Sequence, residues 1–410
     1  MKKLSLLLVL VASSIICNAQ NPQWATYDMF NSGLPFPIVR SISIDESDTK
    51  WIGTWLGGLA KFDGTNWTTY NTSNSGLPND DVNSISVNGN GTKWIGINGG
   101  GLAKFDGTNW TIYNSSNSAL PNYTINSIAI DGSGTTWIGT LGGLAKFDGD
   151  NWTIYTESNS SLPNDFVYSI AIDGNDTKWI GTGVGLAKFD GTNWTTYNTS
   201  NSGLPSNFII PIVIDESDTK WIGTIDSGLV KFDGTNWTTY NSSNSGLPED
   251  MIFSLAAEKG GTIWIGTYES GLIKFDGTNW TTYNTSNSEL PNNIIWALSI
   301  DKSNTKWIGT AGGGLAAFNE NGIPSDVNEN ILPNYNVSVF PNPVSDYLNI
   351  EQGDMSISLA EIINLQGQII KSKRILENRN TLDLTDLSAG VYILKIYTNS
   401  GFLVTKLIKQ

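Results

Sequence analysis

The chain contains no histidine, and its single cysteine, Cys17, lies within the first twenty residues. The first absence excludes a Ser-His-Asp triad, an imidazole general base and any His-ligated metal site. The second leaves the rest of the chain without disulfides or thiol chemistry. Positive charge is also scarce, with 23 Lys+Arg against 38 Asp+Glu and a formal net charge of −15. Residues 20–335 hold most of the imbalance, 14 basic against 31 acidic. Such a field repels a phosphate backbone, so nucleic acid is not an expected partner. Any enzyme chemistry would rest on carboxylates, Tyr, Lys or Ser alone.

Long apolar runs are missing except for Leu4 to Ile16, which follows the basic start Met1-Lys2-Lys3. That run is short for a membrane span and has the length of a secretory leader. Small residues in Cys17-Asn18-Ala19 fit a cleavage triplet, so residues 1–19 read as a signal peptide with no transmembrane segment in the mature chain. Acylation of Cys17 is the alternative, and Ile16 just before it fits that poorly.

What the chain has in abundance is a repeat. Trp-Ile-Gly recurs at Trp51, Trp94, Trp137, Trp179, Trp221, Trp264 and Trp307, in steps of 42 or 43 residues. Each copy is followed by a Gly-Leu-x-x-Phe element, and in all but the last an Asp-Gly turn and Asn-Trp-Thr-x-Tyr come next. Alternating β-branched and aromatic residues between Gly and Asn punctuation read as four short strands per repeat. Asp106-Gly107 illustrates the hairpin turn, since Gly accepts the positive φ that such turns need. Four antiparallel strands in about 40 residues make a β-propeller blade. The seventh repeat lacks its fourth strand, and Trp24-Ala25-Thr26-Tyr27 supplies an unclaimed one at the other end. The expectation is an all-β chain: a seven-bladed β-propeller over residues 20–320, closed by its N-terminal strand.

These repeats resemble the two-component regulator propeller repeat. The resemblance implies the fold; no kinase or membrane helix accompanies it here.

Recurrent Trp, Phe and Tyr are expected to pack blade on blade. Asp45-Glu46-Ser47-Asp48 and its copies lack the Gly and Glu of an EF-hand loop and read as Asx turns. No metal or cofactor is expected. Positions that differ between blades are the ones free to serve a ligand. Eleven residues before each repeat Trp stand Arg40, Asn83, Asn126, Tyr168, Ile210, Phe253 and Trp296. After Trp-Ile-Gly the variable loop carries Trp55, Ile97-Asn98, Asp226 and Tyr268-Glu269. Both sets are expected on one rim around the central channel, polar in blades one to three and apolar in four to seven. The binding candidates are therefore Arg40, Trp55, Tyr168, Asp226, Phe253, Tyr268, Glu269 and Trp296. Such a mouth suits noncovalent binding of a glycan or peptide. Two alternatives stand: a glycan-cleaving enzyme using Asp226 and Glu269, and a passive adhesive scaffold.

Composition changes after residue 320. A linker over 321–335 leads to six or seven closely spaced strands over 336–410, the pattern of a small β-sandwich of immunoglobulin-like kind. Phe340-Pro341-Asn342-Pro343, Asn364-Leu365-Gln366-Gly367, Leu387-Ser388-Ala389-Gly390-Val391-Tyr392 and the terminal Thr405-Lys406-Leu407-Ile408-Lys409 resemble the type A sorting domain of the type IX secretion system of Bacteroidetes. The resemblance implies that Pro341, Asn342, Pro343, Gly367, Gly390 and Lys406 belong to a sorting motif. It further implies a type IX translocon and a surface sortase as partners, and a secreted or cell-surface protein.

Overall fold

A computed structural model describes residues 23–323, 337–352, 357–364, 368–375, 379–398 and 401–410. The leader, most of the linker and Gly367 lie outside the described residues. The chain divides into two compact units, Met1–Pro324 and Ser325–Gln410.

The first unit is the seven-bladed propeller. Six blades are consecutive four-stranded antiparallel meanders, for example Val39–Ile44, Lys50–Thr54, Gly58–Phe62 and Trp67–Tyr70. The seventh takes three strands from residues 295–318, and Trp24–Tyr27 pairs onto the last of them in the register Trp24↔Phe318 to Tyr27↔Leu315. Closure by the N-terminal strand gives the last blade a paired outer edge.

Local chemistry accounts for the repeat. The Asp106 carboxylate accepts the backbone N–H of Thr108 at 2.8 Å and of Asn109 at 2.7 Å, with Gly107 at φ 109°, so the third strand is folded back onto the fourth. Asp45 accepts the N–H of Ser47 and Thr49 in the same manner, which is the Asx turn expected there. Its other oxygen accepts the Trp51 indole N–H at 3.0 Å. Gly in Trp-Ile-Gly is required by close approach: a Cβ on Gly53 would lie 2.4 Å from Ser41 Oγ and 2.7 Å from Val82 Cγ1 of the next blade.

Seven apolar clusters form the core, one at each blade-to-blade interface. Trp51 packs edge-on to Phe105 of the next blade at 6.2 Å, and Phe105 stacks on Trp110 at 4.3 Å. The recurrent aromatics are thus blade packing. A charged latch crosses most interfaces as well. Lys178 Nζ lies 4.9 Å from the ring centre of Trp137 in the preceding blade and 3.3 Å from the Asp131 carboxylate. Lys50, Lys220 and Lys306 repeat the arrangement. Burial pushes the Asp131 carboxyl up, yet hydrogen bonds from Ser133, Trp137 and Thr135 and the Lys178 ammonium outweigh it and hold the pKa at about 2. Between blades two and three the latch is missing, since Asn88 replaces the acid and Thr136 the lysine, and between five and six Ile263 takes the lysine's place.

The second unit has a three-stranded sheet, from strands Val337–Phe340, Tyr347–Gln352 and Arg379–Asp383, and a four-stranded sheet ordered Ile369–Arg374, Ile357–Ile363, Gly390–Thr398, Gly401–Lys409. Val344, Leu348, Ile350, Ala360, Ile362 and Leu394 belong to its single core.

Candidate functional site

The innermost strand of every blade carries a β-bulge at the position where the blades differ. Opposite the second strand, Val39 pairs with Thr54 and Ser41 with Gly53, so Arg40 is the extra residue. Asn83, Asn126, Tyr168, Phe253 and Trp296 are skipped in the same way, and in blade five Ile210 and Pro211 are skipped together. A bulge leaves its residue unpaired and re-aims the side chain. Here all seven line the central channel, a cavity of about 400 Å³ whose wall continues through a tier of mainly Ser and a tier of Ile and Leu. The sequence period therefore keeps the backbone and leaves one channel-facing side chain per blade free to vary.

The seven side chains form two arcs. In the polar arc the Arg40 guanidinium donates to Asn83 Oδ1 at 3.3 Å and lies 3.4 Å from the Asp81 carboxylate. Asn83 Nδ2 donates to the Ile125 carbonyl of blade three at 2.9 Å, and Asn126 Nδ2 to the Val167 carbonyl of blade four at 3.0 Å. Asn98 donates to Asp81 at 3.0 Å. The amides thereby bond carbonyls beside the neighbouring bulges and stitch the inner ring together.

The aromatic arc begins on the same arginine, which is the only one in the propeller. Its guanidinium carbon lies 5.4 Å from the ring centre of Trp55 and 5.2 Å from that of Trp296. Phe253 meets Trp296 edge-on at 6.5 Å and Tyr268 at 5.6 Å. Tyr168 stacks separately on Phe208 at 4.9 Å. An adjoining cavity of about 290 Å³ is lined by Arg40, Asn83, Ile210, Phe253 and Trp296.

Five buried side-chain polar atoms among the described residues lack a hydrogen-bond partner: Arg40 Nε, Ser41 Oγ, Asp81 Oδ1, Ser169 Oγ and Trp296 Nε1. Four belong to channel-lining residues and the fifth, on Asp81, faces Arg40. The other buried side-chain polar atoms among the described residues are paired, so unmet bonding capacity gathers in the residues around the channel.

The structure brings Arg40, Trp55, Phe253, Tyr268 and Trp296 together, with Tyr168 on the same channel wall. It does not bring in Asp226 or Glu269. Both are exposed, and neither lines the channel. Asp226 accepts from the Ser227 hydroxyl, while the Glu269 backbone N–H donates to Glu249. Ile97 ends the second strand of blade two, Lys93–Ile97, and is fully buried rather than on the rim, where other blades place a Thr whose hydroxyl bonds a glycine carbonyl. Sequence reasoning missed a further variable rank two residues before each bulge: Ile38, Asp81, Thr124, Phe166, Phe208, Met251 and Ile294. The signal was strand alternation, because the intervening position is a fully buried Val or Ile in every blade.

In the second unit, Asn342 Oδ1 accepts the backbone N–H of Ile408 at 2.9 Å, and Val344 N donates to the Ile408 carbonyl at 2.8 Å. The Pro341-Asn342-Pro343 segment is thereby tied to the last strand, which includes Lys406. Gly390 opens the strand that pairs with it along its whole length.

Residues 338–410 match the family described as secretion system C-terminal sorting domain. The C-terminal unit is a secretion sorting domain. It directs the chain to the cell surface or beyond. No curated protein matches the chain in sequence. Among solved structures, the chain is similar to the extracellular domain of BT3049 from B. thetaiotaomicron, described as a hybrid two component system: 20% identity, TM-score 0.64, 95% of this chain and 57% of that one. It is also similar to PorZ of Porphyromonas gingivalis, described as an essential bacterial surface component of the type-IX secretion system: 18% identity, TM-score 0.57, 94% of this chain and 60% of that one. Virginiamycin B lyase from Staphylococcus aureus aligns at 13% identity and TM-score 0.59, over 72% of this chain and 98% of that one. The chain spans less than two thirds of the length of the first two. At these identities the likeness establishes the propeller fold alone.

Proposed function

We propose that the protein is an exported binding module whose propeller holds a ligand noncovalently at the channel mouth. The observation that carries this reading is one cavity lined by aromatics together with Arg40, Ser41, Ser169 and Trp296, residues that each keep a buried polar atom without a hydrogen-bond partner. Apolar walls bury a ligand while a few convergent polar groups orient it. Glycan cleavage by a carboxylate pair would need both carboxylates facing the ligand, and Asp226 and Glu269 stand outside the cavity lining. The sorting domain engages the type IX translocon and a surface sortase through residues 336–410, after a leader over residues 1–19 has directed the chain across the inner membrane.

The test is binding of the full chain to an array of glycans and peptides, beside Arg40→Ala and Trp296→Ala. The reading expects reproducible binding that both substitutions weaken at least tenfold. Binding indifferent to both would overturn it, as would no binding at all, and the scaffold reading would then stand.

A further inference from the structure

The loops at the mouth end of the propeller are of two kinds. Some join the second and third strands of a blade; the others run from each fourth strand to the next blade. Together they carry no lysine or arginine, and every propeller lysine lies in a strand or in a turn at the other end. Their carboxylates include Asp80, Asp165, Asp226, Glu249, Asp250 and Glu269, none of which forms an ion pair among the described residues. Several are fixed in place by backbone donors, as Asp80 is by Thr72 N–H at 2.7 Å and Asp250 by Ser242 N–H at 2.7 Å. The single cation, Arg40, already faces the buried Asp81. A ligand approaching this mouth therefore meets uncompensated negative charge, which attracts a cation and repels an anion.

Large apolar side chains stand exposed in the same loops. Besides Met29 and Phe30, which follow the outer strand Trp24–Tyr27, they are Trp55 and Leu56 in blade one, Tyr123 before blade three, Phe166 before blade four, Val184 in blade four and Tyr268 in blade six. Monomeric proteins scatter such residues singly, whereas here they ring one opening. They are spread around the mouth on different blades, so a small ligand in the channel cannot cover them. An extended chain can.

Resting on the reading that the mouth is a binding site, we infer that its ligand is a basic peptide segment of a partner protein. An apolar side chain of the segment enters the channel between Phe253, Trp296 and Ile210, and flanking lysines or arginines lie over the rim carboxylates.

Three synthetic peptides test this on the full chain. They share the core Gly-Phe-Leu-Gly-Phe and are flanked on each side by two Lys, two Ser or two Glu. Calorimetry at about 20 mM salt is expected to show the Lys peptide binding at least tenfold more tightly than the Ser peptide, and the Glu peptide weaker still. About 300 mM salt should shrink the gap to under threefold, since screening acts on exposed charges. Asp226→Asn/Glu269→Gln, both at exposed positions that folding tolerates, should reduce the Lys preference about threefold. Equal binding of Lys and Ser peptides at low salt, tighter binding of the Glu peptide, or no binding of any peptide overturns the inference. If the peptides fail while array glycans bind in a Trp296-dependent manner, the site stands and the peptide assignment alone falls.

Discussion

Arg40 and Trp296 come from opposite ends of the propeller sequence and meet across the seam between its first and last blades, guanidinium carbon 5.2 Å from the indole centre. The contact exists only once the ring is closed. Closure, channel and candidate site are therefore one structure, and each can be tested through the others.

Closure depends on Trp24, whose ring stacks on Phe318 at 4.3 Å and is nine-tenths buried. Trp24→Ala is expected to cost about 3–5 kcal/mol. Loss of the strand also exposes the edge of 315–318, so self-association should accompany the drop. Thermal unfolding and light scattering after gel filtration measure both.

The blade latch gives a second prediction. Lys178→Ala leaves Asp131 buried without its cation, and a loss of about 3 kcal/mol or more is expected from urea unfolding. At the interface between blades two and three, which lacks both latch residues, Thr136→Lys alone should destabilise, and Asn88→Asp/Thr136→Lys together should recover most of the loss. A double-mutant cycle shows the coupling directly.

Acid should act through the same groups. Asp131 is held at about 2 in the folded chain, and Asp173 and Glu258 are also lowered: burial raises each, but the indole N–H groups of Trp179 and Trp264 lead the hydrogen bonds that outweigh it. A depressed folded pKa gives stability that is present above the unfolded value, near 4, and lost as pH falls through the folded one. Melting temperature should hold from pH 7 to about 5 and drop between pH 4 and 2. Asp131→Asn should be less stable at pH 7 and lose less on acidification. The Asp131 share is about 2 kcal/mol.

Export is separable from binding. Deleting residues 338–410 should leave the protein inside a type IX-competent host, because that segment is the sorting domain. Asn342→Ala, which frees the Ile408 N–H, should cost about 1 kcal/mol and lower the secreted fraction without abolishing it. Immunoblots of cells and medium report both.

Much of this was legible in the sequence, for a physical reason. A blade that must match its neighbours repeats its packing residues, so Trp51, Gly53 and Phe105 announced their roles by recurring. Channel-facing positions such as Arg40 and Tyr168 announced theirs by failing to recur. The bulge was hidden, since bulged and regular strands share the same alternating residues and differ only in register. Asp226 and Glu269 looked like partners of Tyr268 because variability alone cannot separate a channel-facing side chain from a solvent-facing one. The lysine latch crosses between blades and leaves no local pattern beyond a Lys before five of the seven repeat Trp residues.

The most direct test is fluorine NMR of the full chain labelled with 5-fluorotryptophan. Trp→Phe substitutions would assign the signals, and the titrant is the tightest binder from the array. The account predicts that the signals of Trp55 and Trp296 shift, while those of Trp137 and Trp264, buried between blades, stay in place. Shifts confined to outer-strand residues such as Trp110 or Trp152, with Trp55 and Trp296 unmoved, would contradict a site at the channel mouth.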